Sequence, residues 1–318
     1  MAKRRGCGLA AGLTILVLAL AGAAAHAEGV ALTFDDLPAL SLVTSVDYLA
    51  ETNAKLLGGL SAHRLSAIGF VIGDKVEGPD AAARTALIEA WLKAGLLLGN
   101  HTYSHASLNK TPLTEYIGDV ARDDAALRPL LAKYRRRPAW FRHPYLETGA
   151  TLADKRTFEA WLKAEGYRVA PVTLENSDWL FAFPYDEAIR NGNAAEAARV
   201  RRAYLDYTAA VVPWYRKAAL QLLGRRPALV FLLHETRLNA DSLDDLLTIL
   251  KRNDLKVVSL ERAVADPAYR IRDDVADANG DEWLSRWSMT LHRALPWDSY
   301  PEPPADVAAA DARLDPEP

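Results

Sequence analysis

The chain predicts an α/β fold in which a mostly parallel sheet, closed as a (β/α) barrel, is wrapped by helices. Three observations carry this. Short apolar runs alternate with longer helix-patterned stretches over most of the 318 residues, the mark of repeated βα units. Proline and glycine punctuate the changes of pattern. Polar clusters recur where the apolar runs end, and barrels place their chemistry at the C-terminal ends of strands. An open, doubly wound sheet is the alternative with the same alternation.

The first strand is residues 30–34, apolar and partly β-branched, and it ends in Asp35 and Asp36 before Pro38. Neighbouring strand side chains face opposite ways, so the two carboxylates are expected in a loop where both can turn to one site. The plain alternative is a turn. Residues 46–60 place Leu49, Leu56, Leu57 and Leu60 at helical spacing, and 66–72 form the next buried strand. A helix over 81–93 follows Pro79 and ends at Gly95 before the strand 96–98. Pro112 opens another helix, to about residue 134. Next come a strand at 140–142, a helix at 152–165 closed by Gly166, and a strand at 168–173. A long Ala-rich helical stretch (185–223), a strand (228–233), a helix (243–252) and a strand (255–259) complete the pattern.

A composition of 50% hydrophobic and 25% charged residues is that of a globular protein, so disorder of the whole is excluded. A net charge of -3 and a pI near 6.2 leave no basic excess for phosphates, and nucleic acid is not an expected partner. Residues 1–27 read as a cleavable secretory signal. Lys3, Arg4 and Arg5 precede an apolar run that ends in Ala25-His26-Ala27. An uncleaved anchor is the competing reading, but the run is Ala- and Gly-rich and short for a span. Cleavage would shift the net charge from -3 to -6, leave no stable membrane anchor, and place the protein outside the cell or in a periplasm. Cys7 leaves with the signal, so any metal in the mature chain must be held by His, Asp and Glu. The expected organisation is the signal (1–27), a catalytic domain (28–266) with a helical insertion (185–224), a C-terminal extension packed on the barrel (267–299) and a disordered tail (300–318) rich in proline, alanine and acids. Asp277 to Asp281 resembles a calcium loop, but its glycine is misplaced, and it reads as a turn.

His101 and His105 follow the third strand four residues apart, a spacing that in a helical turn puts both imidazoles on one face. The plain alternative is a pair of polar loop histidines. Two nitrogens with a carboxylate from the first strand end make an open, catalytic type of metal site.

Thr33-Phe34-Asp35-Asp36, His101-Thr102-Tyr103-Ser104-His105, Arg142-His143-Pro144-Tyr145, Asp178-Trp179 and Leu232-Leu233-His234 occur in that order at strand ends. With these five motifs the chain resembles the polysaccharide deacetylases, the NodB-homology domain of carbohydrate esterase family four, over about residues 30–266. The resemblance implies a distorted (β/α) barrel and metal-dependent removal of an acetyl group from an N- or O-acetylated sugar. It implies Asp36, His101 and His105 as metal ligands and Asp35 as general base, oriented by Arg142. His234 would be the general acid, oriented by Asp178, and the backbone N–H of Tyr145 would join the oxyanion hole. Trp179 and Leu232 would wall the acetyl pocket, with core packing the equal alternative for Leu232.

The divalent ion is expected to be zinc, with cobalt, nickel, manganese or iron compatible with the same ligands. Leu146 and Glu147 stand where many relatives have glycine, and the span from Trp179 to His234 is long for the family. Tyr204, Tyr207, Trp214 and Tyr215 in that span read as core rather than as a sugar-stacking wall. His63, His143 and His292 read as surface or structural groups. Two other functions compete: hydrolysis of a small non-sugar amide, and non-catalytic glycan binding. The second is disfavoured because base, acid and ligands are all present.

Overall fold

Strand β1 (Glu28–Leu37) runs through the middle of a seven-stranded sheet made with β2 (Ala67–Val71), β3 (Leu97–Asn100), β4 (Trp140–Phe141), β5 (Arg168–Val169), β6 (Leu229–His234) and β7 (Leu255–Val258). The computed structural model describes residues 28–276 and 279–315. The expected signal segment, with Cys7, lies outside them, as does part of the turn at 277–281. The strand order is β5-β4-β3-β2-β1-β6, and β7 pairs with the start of β1. One edge of β1 meets β6 from Val30 to Asp35; its other edge meets β7 up to Ala31 and β2 from Leu32 onward. Every one of these pairings is parallel.

The sheet curls until its ends meet. Leu174, beyond β5, bridges to Phe231 of β6, and Val230 N–H donates to Thr173 Oγ1 at 2.8 Å. The result is a distorted (β/α) barrel, closed by a bridge rather than by a full ladder. Its helices are α1 (Val46–Ala62), α2 (Ala81–Lys93), α3 (Leu113–Lys133), α4 (Leu152–Ala164), α5 (Asp178–Arg190), α6 (Ala194–Leu223), α7 (Arg237–Arg252), α8 (Leu260–Val264), α9 (Trp283–Leu291) and α10 (Ala305–Leu314). With helices outside and side chains within, a parallel strand is buried on both faces. Hence β1 is buried continuously from Val30 to Leu37.

The helical insertion departs from its expected bounds. It begins at Asp178 rather than 185 and breaks at Asn191-Gly192-Asn193, where Gly192 has φ 66° and Asn193 caps α6 by accepting from Glu196 N–H at 3.1 Å. Asp178 and Trp179, expected at a strand end, open a helix instead, because Ser177 turns the chain with φ 47°. Tyr204, Tyr207, Trp214 and Tyr215 lie at 0–5% exposure, so the core reading of these aromatics holds. Burying each such ring contributes on the order of 1.5–3 kcal/mol.

The C-terminal region departs from expectation in its tail but not in α9. α9 sinks Leu284 and Trp287 into the main core. The tail expected to be disordered instead forms α10, packed on α5 with Val307 buried and Arg313 paired with Glu187 at 2.8 Å. Its alanines are helix formers, and a buried valine, with exposed ion pairs to α5 and, through Asp306 and Arg199, to α6, places it against those helices. Composition suggested disorder because the segment's few apolar residues find their partners only in tertiary contact.

Candidate active site

The strand ends converge at one mouth of the barrel, and β1 supplies two carboxylates through a bulge. Between Phe34 and Leu37 it advances three residues while β2 advances two, from Gly69 to Val71, and Asp36 adopts φ 68°. The extra residue cancels the alternation that would send the two side chains to opposite faces. The pair therefore lies at the end of a strand rather than in the loop that the sequence suggested.

Asp36, His101 and His105 come together. Asp36 Oδ1 is 3.4 Å from His101 Nε2 and 3.5 Å from His105 Nε2, and one donor atom from each residue lies within 4.8 Å of the others. The histidines are not on a helical turn. They flank an irregular loop after β3 in which Thr102 and His105 have φ 68° and 55°. His101 Nδ1 lies 2.8 Å from the carbonyl of Arg142, so Nδ1 carries the proton and Nε2 faces Asp36 as a lone pair. Burial pushes His105 down to about 3, which leaves its ring neutral and able to donate a lone pair. Burial opposes ionisation of Asp36, but the Lys75 ammonium outweighs it and holds the carboxyl well below the usual range. Asp36 Oδ1 is buried and accepts no hydrogen bond from the described residues. Two imidazole lone pairs aimed at a bare carboxylate oxygen fit a divalent cation.

Asp35 stands beside this triad, its Oδ2 3.8 Å from His101 Nε2 and accepting from Arg142 Nη1 at 3.3 Å. Arg142 is fully buried and also donates to Thr33 Oγ1 at 2.9 Å, which aims the guanidinium along β1. Desolvation lowers the Arg142 pKa and the nearby Asp35 carboxylate partly restores it; a guanidinium stays charged nonetheless.

His234 ends β6 in register with Asp35. Its Nδ1 lies 2.7 Å from Asp178 Oδ1, and its backbone N–H donates to Asp178 Oδ2 at 2.7 Å. Burial works against the charged ring, but the Asp178 carboxylate overrides it and pushes His234 up to about 9. Asn239 donates to both Asp178 and the His234 carbonyl and itself receives the Tyr204 hydroxyl at 2.6 Å. The helical insertion thus supports the imidazole from behind.

Tyr145, half exposed, has φ 56° and ψ 13°, and its ring lies 4.5 Å from that of His105. Trp179 is 44% exposed one residue after Asp178, as a wall of an open cleft would be. Leu232 packs against the main core, as its plainer reading has it. His143 is buried against Phe141 and Phe158, a structural group and not a surface one, whereas His63 is exposed and pairs with Asp244.

Sequence reasoning missed Lys75, whose Nζ is 3.2 Å from Asp36 Oδ2, and Asn239. Lys75 follows β2 in the polar run Gly73-Asp74-Lys75, so the rule that located the histidines also points to it. Asn239 lies within α7 and carries no such signal.

A curled parallel barrel with an Asp-His-His cluster at its strand ends defines a class of (β/α) barrels whose donor set suits a divalent ion. Residues 23–167 match the sequence profile of the polysaccharide deacetylase family. A peptidoglycan-N-acetylglucosamine deacetylase of Bacillus cereus is 31% identical over 151 residues, covering 47% of this chain and 46% of that protein. The chain thus matches about half the length of that relative. Among solved structures, a polysaccharide deacetylase of Bacillus cereus superposes with a TM-score of 0.50 at 20% identity, covering 73% of this chain and 91% of that one. A mutant of a CE4-family pseudoenzyme with restored activity superposes with a TM-score of 0.51 at 19% identity, covering 74% and 67%. These superpositions show the shared fold.

Proposed function

We propose that this protein is an exported, divalent-metal-dependent deacetylase that hydrolyses the acetyl group of an N-acetylated or O-acetylated sugar. The observation that carries the proposal is the pairing, around one Asp-His-His cluster, of a carboxylate held by a buried arginine and an imidazole kept charged by a buried aspartate. Asp36, His101 and His105 would hold the ion, zinc first on this donor set, and the bound ion would polarise the acetyl carbonyl and acidify water. Asp35, aimed by Arg142, takes the proton from the attacking water. His234, charged by Asp178, delivers a proton to the departing amine or alcohol, which otherwise leaves as a poor anion. The main chain at Tyr145 provides an N–H for the developing oxyanion. Trp179 lines the side of the cleft next to the acid.

Export rests on the basic and apolar character of residues 1–27. No described helix is long and apolar enough to cross a membrane. N-terminal sequencing of protein recovered outside the cytoplasm should begin at Glu28.

The direct test is acetate release from chitin-type oligomers, peptidoglycan, O-acetylated xylan and small acetamides, with metal content measured on the same sample. Release from a glycan that stops on chelation and returns with zinc is expected. Equal release by metal-free protein, or none from any glycan by the loaded protein, would sink the proposal, and turnover of acetamides alone would move it to small amides.

A further inference from the structure

The segment around α9 lies outside the residues matched to the family profile, 23–167, yet it reaches the turn that carries Tyr145. Tyr145 and Leu146 both adopt left-handed backbone, φ 56° and 55°. Two such residues in succession without a glycine persist only where their surroundings over-determine them.

Those surroundings are of two kinds. From the metal-ligand loop, Ser107 donates to the Glu147 carboxylate, and Asn109 Oδ1 accepts from Gly149 N–H at 2.9 Å. From the C-terminal side, Gly280, φ 71°, is pressed against the turn so closely that a Cβ there would lie 1.9 Å from the Tyr145 carbonyl oxygen and 3.4 Å from Glu147 Cγ. Arg286, fully buried on α9, donates to Thr148 Oγ1 at 2.7 Å and to Asp273 at 2.9 Å, and Lys155 of α4 pairs with the same aspartate. The turn is clamped between the loop of the two histidines and the C-terminal segment.

We infer that residues 279–286 are a positioning element of the active site: Gly280 and Arg286 hold the main chain of Tyr145 in place against the metal-ligand loop. The inference rests on the deacetylase reading only for its kinetic consequence. Glu147 belongs to this device, because its side chain ties the turn to Ser107.

The test uses the full-length, metal-loaded protein with Gly280→Ala, and with Thr148→Val and Thr148→Ser. A methyl at Gly280 must displace a backbone carbonyl. Misplacement of this order lowers kcat by about 10- to 100-fold. KM and the zinc dissociation constant should change by less than about twofold, because an oxyanion donor acts in the transition state rather than on the bound substrate. Amide hydrogen exchange at 145–149 should quicken in the same variant. Thr148→Val should lower kcat likewise and Thr148→Ser, which keeps the hydroxyl, should restore it; this pair decides the matter if Gly280→Ala does not fold. Unchanged exchange, an unchanged kcat, a zinc affinity that falls together with kcat, or a loss that serine does not rescue would each overturn the inference. If wild-type protein releases acetate from no substrate, the functional reading fails, and the exchange experiment alone decides whether the segment holds the turn.

Discussion

Asp178 makes two hydrogen bonds to His234, and under the proposed mechanism this sets the pH range over which His234 can act as the acid. An acid must be protonated before it can give a proton, and His234 is pushed up to about 9, so activity is expected to persist to about that pH and fall above it. Replacing Asp178 with Asn removes the first of the raising influences and leaves the opposing burial. The alkaline limb of kcat should then move down to or below the ordinary histidine value of ~6.5, as a pH–rate profile would show; a limb that stays near 9 would exclude His234 as the acid. Asp35→Asn should cost about 10²–10⁴-fold in acetate release while metal remains bound by analysis of the purified variant. Both aspartates of β1 and both histidines were legible as a candidate metal or acid–base site from their place at strand ends and their spacing. Their division of labour was legible only through family resemblance, because a bulge at Asp36 and not the alternation of a strand turns both carboxylates to one site.

Among the elements, α6 does more than fill space. Tyr204 lies at its centre with no exposure, donating to Asn239 at 2.6 Å and accepting from Asn176 at 2.9 Å, and Asn239 in turn holds Asp178. Tyr204→Phe would strand a buried amide oxygen and should destabilise the fold by ~1–3 kcal/mol, measured by urea unfolding, with zinc affinity unchanged. A smaller loss would mean that Asn239 finds another donor. The seven strands and most helices were legible because buried parallel strands are short apolar runs and amphipathic helices repeat every three to four residues. The start of α5 was not, since its first residues look like another polar strand end and only Ser177, in a left-handed conformation, reveals the turn. The loop of His101 and His105 misled in the same way: spacing suggests a helical turn, whereas Asp119 organises it from α3 by accepting from Tyr103 N–H at 2.9 Å and Ser104 N–H at 3.0 Å.

For the whole molecule, the Asp36-His101-His105 cluster would couple binding of a cation to stability. A cation that binds the folded chain alone adds about 2.7 kcal/mol at one hundred times its dissociation constant. For a chain of this size that should raise Tm by roughly 5–10 °C, seen as a thermal shift on adding zinc, and Asp36→Ala should abolish the shift. Absence of a shift in the wild type would show that the three donors do not bind the ion. The sequence by itself determined the parallel βα architecture and the candidate chemistry, because hydrophobic period and strand-end polarity are local properties of the chain. Only the tertiary structure decided that the barrel closes through Leu174 and Phe231, that α10 is ordered, and that a distant C-terminal segment clamps the turn at Tyr145. Those outcomes rest on single contacts between residues far apart in sequence, such as Gly280 against Tyr145 and Arg286 against Thr148, and no local pattern records which partner a residue will meet.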